Sequence, residues 1–480
     1  MPISIFSSRT GRMAWVLAAL VTAGCAAPGP EHPPLVTTTA AMLGLGAADT
    51  TVVPTQWWQG LGDAQLNQLM AQALQGHPSL AAARARLARA QALADVSRST
   101  DGPHASLGAD ATRQHYSAHG LVPAPIAGNT WNSANLQATV GWSPDFFDRN
   151  ATELAAALGQ ARAAQADAAA ATQVLAAQVG RSYIALARWL AQQAVAEQTL
   201  VQRQALWDLT RQRVAAGLDS QVDATQAQAV LTEAQSQQEV LQEQITLARR
   251  QIAVLCAQAP NAQSALTPRL EHLTLEPVPD TLGADLLGRR ADVVAARWRV
   301  EAATQGVALA RTDFYPDIHL GAFIGLNALG LNHLLSTGAR QMGVTPALRL
   351  PLFDGERLRA QLGSRQAELD AAIAQYNGAV LEAVKQAGDA IASAQSLARQ
   401  HSLQAQASAQ AQTSYRLAAQ RHQAGLSNTL ALLHSESQVL AQRRLAVDVR
   451  ARQLDTQIVL MQALGGGWHD DTAPLTTATR

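Results

Sequence analysis

The residues best equipped for chemistry in this chain are few and scattered. His115 and His119 stand four apart, a spacing that on a helix offers two imidazoles to one metal ion. They fall where an alternating stretch passes into a loop, so they read as surface histidines and no metal site is expected. Asp145 and Asp148 form a carboxylate pair at a strand-to-helix junction, where Asp148 is placed to cap the helix that follows. Gly465-Gly466-Gly467 reads as a flexible terminator and not as a phosphate cradle. No G-x-S-x-G, H-E-x-x-H, phosphate-binding loop or C-x-x-C is present. Cys25 and Cys256 are the two cysteines of the chain, which leaves no disulfide framework. The expectation is a protein that catalyses nothing and holds no metal or cofactor.

The elements around these residues say more. Arg9 and Arg12 form a positive n-region and Met13–Val21 a short apolar run, the pattern of an export signal over residues 1–24, too short to span a bilayer. Thr22, Ala23 and Gly24 lead into Cys25. This ending resembles the lipobox of bacterial lipoproteins, in which the cysteine carries the lipid, although that pattern prefers leucine where Thr22 stands. An ordinary signal cut after Ala23 or Ala26 is the alternative. Ala26 after the cysteine carries no inner-membrane retention signal, which points to the outer membrane. The chain has 36 basic and 36 acidic residues, so neither nucleic acid nor an acidic surface is an expected partner. Hydrophobic residues make up 48% but aromatic ones only 4%, a profile of long, closely packed helices. After the leader no apolar run is long enough for a transmembrane helix. A membrane crossing would have to be made by a closed β-barrel.

The chain is one unit written twice. Pro78–Leu87 aligns with Ala291–Val300, and Pro103 with Pro316, at an offset of 213. Phe147-Asp148 matches Phe353-Asp354 at 206, and Arg213–Leu218 matches Arg421–Leu426 at 208. The expected layout is a first repeat over 25–259, a linker over 260–279, a second repeat over 280–467 and a tail over 468–480. Each repeat reads as helix, strand pair, very long helix, tight turn and long helix. The strands alternate: Ala105, Leu107, Ala109 and Ala111; Leu136, Ala138, Val140 and Trp142; Ile318, Leu320, Ala322 and Ile324; then Met342, Val344, Leu348, Leu350 and Leu352. Loops are expected at 120–129 and 325–338. Alternation over about 10 residues is the mark of membrane-barrel strands, and four strands cannot close a barrel alone. The stretch Thr152–Ala215 holds 64 residues without proline, roughly 96 Å of helix at 1.5 Å per residue, and 356–423 repeats it. Leu369, Ile373, Tyr376, Val380, Val384, Ala387, Ile391 and Ala394 form a heptad seam with one extra four-residue step.

These residues resemble the TolC-type outer-membrane efflux proteins, in the NodT-like lipoprotein branch. The resemblance covers nearly the whole mature chain. It is carried by Trp57-Trp58 through Asp63 and Leu66, by Arg289-Arg290-Ala291-Asp292-Val293, by Phe314-Tyr315-Pro316, by Pro351–Arg357 and by Ala463–Trp468. What it implies is a mostly α-helical fold with a small β part: a homotrimer whose twelve strands, four per chain, make one transmembrane β-barrel above a helical tunnel. It implies a passive exit duct for small molecules in a tripartite system. Its partners would be a periplasmic adaptor (a membrane fusion protein), an inner-membrane transporter of the resistance-nodulation-division type, and the outer-membrane lipid. A channel for type I protein secretion and a pore-free periplasmic coiled-coil lipoprotein are the alternatives. The resemblance also places a periplasmic gate at Asp223, His422 and His434, beyond the turns Ala216–Asp219 and Ala424–Ser427. Family members often have tyrosine where His422 stands and an acidic residue where His434 stands. Histidines that merely finish solvated helix ends are the plainer account of both positions.

Overall fold

The computed structural model describes residue 27 and residues 33–46, 53–277 and 286–469. The leader with Arg9, Arg12 and Cys25, the end of the expected linker with Pro279, and residues 470–480 lie outside the described residues. The main elements are α1 (Ala64–Gly76), α2 (Pro78–Ser99), β1 (His104–His115), β2 (Thr130–Trp142), α3 (Arg149–Ala215) and α4 (Gln221–Leu255), then α5 (Ala291–Thr312), β3 (Asp317–Leu329), β4 (Arg340–Arg349), α6 (Gly355–Gln423) and α7 (Thr429–Ala463). The fold is therefore mostly helical with one small sheet. The doubling seen in the sequence recurs in the elements: α2 and α5 are both 22 residues long, and α4 and α7 both 35. Among the described residues no helix is long and apolar enough to cross a membrane.

The chain divides into two compact units, and neither corresponds to a single repeat of the sequence. The first unit gathers Leu87–Ala163 and Ala296–Tyr376. Its sheet is antiparallel in the order β1-β2-β3-β4. Val307 and Ala310 of α5, with Phe314 just beyond its end, pack on Leu358, Leu362, Leu369 and Ile373 of α6, so the expected seam is buried here. A methyl added at Gly159 of α3 would meet Ala302 of α5 at 3.0 Å, so these two backbones come close because both residues are small. The Arg162 guanidinium lies over the Trp298 ring, 4.5 Å from its centroid. At the strand-to-helix junctions Phe147 stacks on Tyr315 at 5.2 Å, and Arg149 pairs with Asp313.

Two local expectations are corrected in this unit. Asp145, not Asp148, supplies the side-chain cap of α3. Its Oδ2 accepts from the Ala151 N–H at 2.9 Å, while Asp148 adopts φ +57° and contributes only its carbonyl, to Thr152. Gly325 does not open a loop. It pairs with Gln137 inside β3, which runs on to Leu329, and a Cβ there would strike the Leu136 carbonyl oxygen. Glycine marks a close approach of two strands, as it can in a strand interior.

The second unit gathers Thr38–Arg86, Ala164–Ala295 and the chain from Asn377. Trp57, Trp58, Leu66, Leu69 and Met70 pack against Leu175, Val179, Tyr183, Ile184 and Leu186 of α3, Ile245 and Ile252 of α4, and Leu454, Ile458 and Met461 of α7. Asp63 caps α1 by accepting from the Gln65 and Leu66 N–H groups at 2.8 and 3.1 Å. Arg290, only 8% exposed, donates to Asp292 at 2.6 and 3.0 Å and to Gln386 at 2.9 Å. Burial pushes the Asp292 carboxyl up, but the hydrogen bond and charge of Arg290 together with the Val293 N–H hold it below the usual carboxylate range. Gly465-Gly466-Gly467 is not a flexible terminator. All three have φ between +58° and +95° and are buried, with Gly465 against the Arg289 carbonyl and Gly467 against Pro54. A close-packed helix end needs residues without a Cβ, which explains the run better than mobility does.

Candidate functional site

The sheet has two unlike faces. Along one rung Leu107, Ala138, Ile324 and Met342 are register partners, and the next rung joins Ala105, Val140, Ala322 and Val344. Trp142, Leu320, Ile318 and Leu348 continue this face. Away from the buried Ala134 and Ala328, nothing among the described residues covers it: Leu107, Val344 and Met342 are 73–76% exposed. The opposite face carries Ser106, Asp110, Thr112, Ser133, Asn135, Gln137, Thr139, Asn327, Gln341 and Thr345. Because side chains alternate strictly in a strand, one register sets both faces at once.

The polar face is cross-linked by side chains. Gln341 of β4 donates to Asn135 Oδ1 at 2.9 Å and to Gln137 Oε1 at 3.2 Å on β2, two strands away. It reaches them because its own register partner is Gly325, which has no side chain to block the path. Asn135 Nδ2 then donates to Asp110 Oδ1 on β1 at 3.2 Å. The sheet ends in two edge strands, β1 and β4, of 12 and 10 residues, each with its outer edge unpaired among the described residues.

The second unit contains the two turns that join long helices. Each closes with the same backbone pattern. Leu218 N–H donates to Arg213 O at 2.9 Å and Gly217 N–H to Val214 O at 3.0 Å; Leu426 donates to Arg421 at 2.8 Å and Gly425 to His422 at 2.9 Å. Gly217 and Gly425 have φ +68° and +74°, the left-handed cap that favours glycine. After the first turn Ser220 accepts from the Asp223 N–H at 3.3 Å while the Asp223 carboxylate accepts from the Ser220 N–H and O–H at 2.9 and 2.6 Å. These bonds hold the Asp223 carboxyl below its ordinary range. Arg213 donates to both oxygens of Asp219 at 2.7 and 2.8 Å, which lowers the Asp219 carboxyl and raises the guanidinium. After the second turn Asn428 caps α7 through Ala431 at 3.0 Å.

The expected gate residues are all placed at or near these turns, and within the chain they do not contact one another. Asp223 is engaged with Ser220. His422 is half-buried, with Nδ1 3.2 Å from the Ser427 carbonyl oxygen. His434 is exposed on α7, and Cys25 lies outside the described residues. His115 is bonded to Thr130 and His119 to Ser117 in the loop after β1. Three features escaped sequence reasoning: the Arg213–Asp219 pair, the Asp145 cap and the Asp110–Asn135–Gln341 chain. The first had a visible signal, Arg and Asp six apart across a glycine turn. The last required the strand register.

Comparison with known proteins agrees with this architecture. The outer membrane efflux protein family matches residues 69–258 and 282–466. The multidrug resistance outer membrane protein MdtQ of Escherichia coli O157:H7 is 33% identical over 431 residues, covering 86% of this chain and 88% of that protein. The fusaric acid resistance protein FusA of Burkholderia cepacia is 36% identical over 370 residues, covering 74% and 69%. The solved outer membrane protein VceC of Vibrio cholerae superposes with a TM-score of 0.79 at 35% identity, over 86% of this chain and 99% of that one. With two matched family segments, long helices in duplicate and a sheet apolar on one face and polar on the other, the chain belongs to the outer membrane efflux protein family and is an efflux channel protein of the outer membrane.

Proposed function

We propose that three copies of this chain close their sheets into one twelve-stranded barrel and work as a passive exit duct for small molecules, without catalysis. The observation that carries this reading is the pair of open edges. In hydrocarbon each unsatisfied backbone group costs several kcal/mol, so a sheet with an uncovered apolar face and bare edges at β1 and β4 cannot sit in a bilayer as a monomer. In water the same edges would invite pairing with another chain. The polar face then becomes the wetted wall. A small-molecule cargo is supported by relatives named for multidrug and fusaric acid resistance. A periplasmic adaptor and an inner-membrane transporter of the resistance-nodulation-division type would complete the route, with Cys25 as a lipid anchor.

Native mass spectrometry in detergent is expected to give a trimer, and planar bilayers to show ion conductance. A stable membrane-inserted monomer, or a trimer that conducts nothing, would sink the reading. Wild type should incorporate labelled palmitate and Cys25→Ser should not. We further propose the gate at Asp223, His422 and His434, where Asp223 of one hairpin ties His422 of a neighbouring one. Asp223→Ala should raise single-channel conductance and His434→Asp should increase cation selectivity. Unchanged values in both would make these residues ordinary helix-end positions.

A further inference from the structure

Charge is distributed unevenly over the sheet and its loops. From His104 to Trp142 the one acidic residue is Asp110, and from Ile318 to Leu348 there is none. The loops 116–129 and 330–339 contain no Asp, Glu, Lys or Arg at all. Two arginines share these stretches, Arg113 and Arg340, and the register puts both on the apolar side, since Arg113 lies two residues on from Ala111 and Arg340 partners Leu326. Asp110 is on the other side, opposite Asn135, and is exposed. The remaining charges of the polar face are Asp317 and Arg349, which are register partners at the end of the sheet next to the helices and offset each other. Between that rung and the loops, Asp110 is the single fixed charge on the polar wall. The other ionisable side chains of this face are the imidazoles of His104 and His319.

The side chain is also held in place. Gln341 crosses above Gly325 to fix the Asn135 carbonyl oxygen, which turns the Asn135 amide nitrogen toward Asp110 at 3.2 Å. A neutral donor positions the carboxylate and leaves its charge uncompensated.

We infer that Asp110 sets the ion preference of the duct, one uncompensated carboxylate per chain making the barrel favour cationic over anionic solutes. This rests on the reading of the sheet as part of a closed, water-filled barrel. A ring of like charges on a low-dielectric wall concentrates counter-ions in the passage. The preference depends on salt, because the screening length is about 10 Å at 0.1 M and contracts to about 3 Å at 1 M.

The test measures the K⁺/Cl⁻ permeability ratio from reversal potentials of the full-length protein in planar bilayers under a KCl gradient at pH 7.5. The wild-type ratio is expected to exceed one and to shrink at high salt. Asp110→Asn, which keeps the shape and the contact with Asn135, should lower the ratio about twofold or more at low salt, while Asp110→Glu should retain it. Asn135→Asp, which adds a second carboxylate beside the first, should raise it, and this arm decides the matter if Asp110→Asn fails to form channels. A wild-type ratio at or below one, or a ratio unmoved by these substitutions, overturns the assignment. Wild-type protein that forms no channels would instead overturn the barrel reading itself.

Discussion

The turn from α3 to α4 and the turn from α6 to α7 share a backbone and differ in charge. Both reverse a long helix through a left-handed glycine, with matching hydrogen bonds from the following leucine and the glycine itself. In the first turn Asp219 closes a two-toothed ion pair with Arg213, and Asp223 completes a reciprocal cap with Ser220. In the second, Ser427 stands where Asp219 does, its hydroxyl is buried without a partner, and Asn428 caps α7 alone. Duplication thus preserved the geometry that steric rules impose and let the electrostatics diverge. The far ends of α4 and α7 keep a common geometry with a different residue. They share one hydrogen-bond pattern, but the left-handed position is Ala257 at φ +55° in one and Gly465 at φ +95° in the other.

The sharpest way to break this comparison is at the helix ends. Gly465→Ala adds a left-handed penalty and drives a Cβ into the Arg289 carbonyl, a combined cost of about 3 kcal/mol. The thermal midpoint of the folded protein in detergent should fall clearly. The converse change, Ala257→Gly, relieves a left-handed alanine and should stabilise by about 1 kcal/mol. A midpoint that drops in Ala257→Gly would mean the alanine methyl matters more than the backbone there.

Smaller effects are expected at the caps. Ser220→Ala and Asn428→Ala should each cost about 1 kcal/mol, read as faster amide hydrogen exchange confined to the first turn of α4 or of α7. Equal fraying of both helices in either variant would refute independent capping.

The smallest and most discriminating effect is one of pH. The Asp219 and Asp223 carboxyls are held below their ordinary range in the folded state. Their stabilising contribution is therefore present above the ordinary carboxylate pKa, near 4, and is lost as pH falls through the lowered folded values. On acidification the first turn should gain exchange while the second, which has no carboxylate, stays unchanged. Ser427→Asp, placed to pair with Arg421, should transfer that acid sensitivity to the second turn. If both wild-type turns respond alike, the ion pair is not what separates them.

Much of the architecture was legible because it is periodic. The repeat, the four alternating strands, the long helices and both glycine turns follow from spacing that adjacent residues carry in themselves. The heptad seam was legible for the same reason, and Ile373, Val380 and Ala387 are indeed buried. What failed locally was the identity of single groups. Asp145 and Asp148 are equivalent in sequence, and only the left-handed backbone at Asp148 decides that the earlier carboxylate reaches the helix N–H groups. Gly325 and Gly465–Gly467 look like loop glycines until the neighbouring strand and the Arg289 backbone show that they are places where nothing larger fits.

The sequence by itself determined the elements, the doubling and the two-faced character of each strand. These are properties of residues close along the chain, set by the periods of 2 and 3.6. Tertiary structure alone decided which strands are neighbours and in what register. That register puts Asp110, Asn135 and Gln341 in contact across 231 residues of sequence, and leaves β1 and β4 as open edges. Strand pairing is a long-range choice made by the packing of whole elements, so no local pattern encodes it.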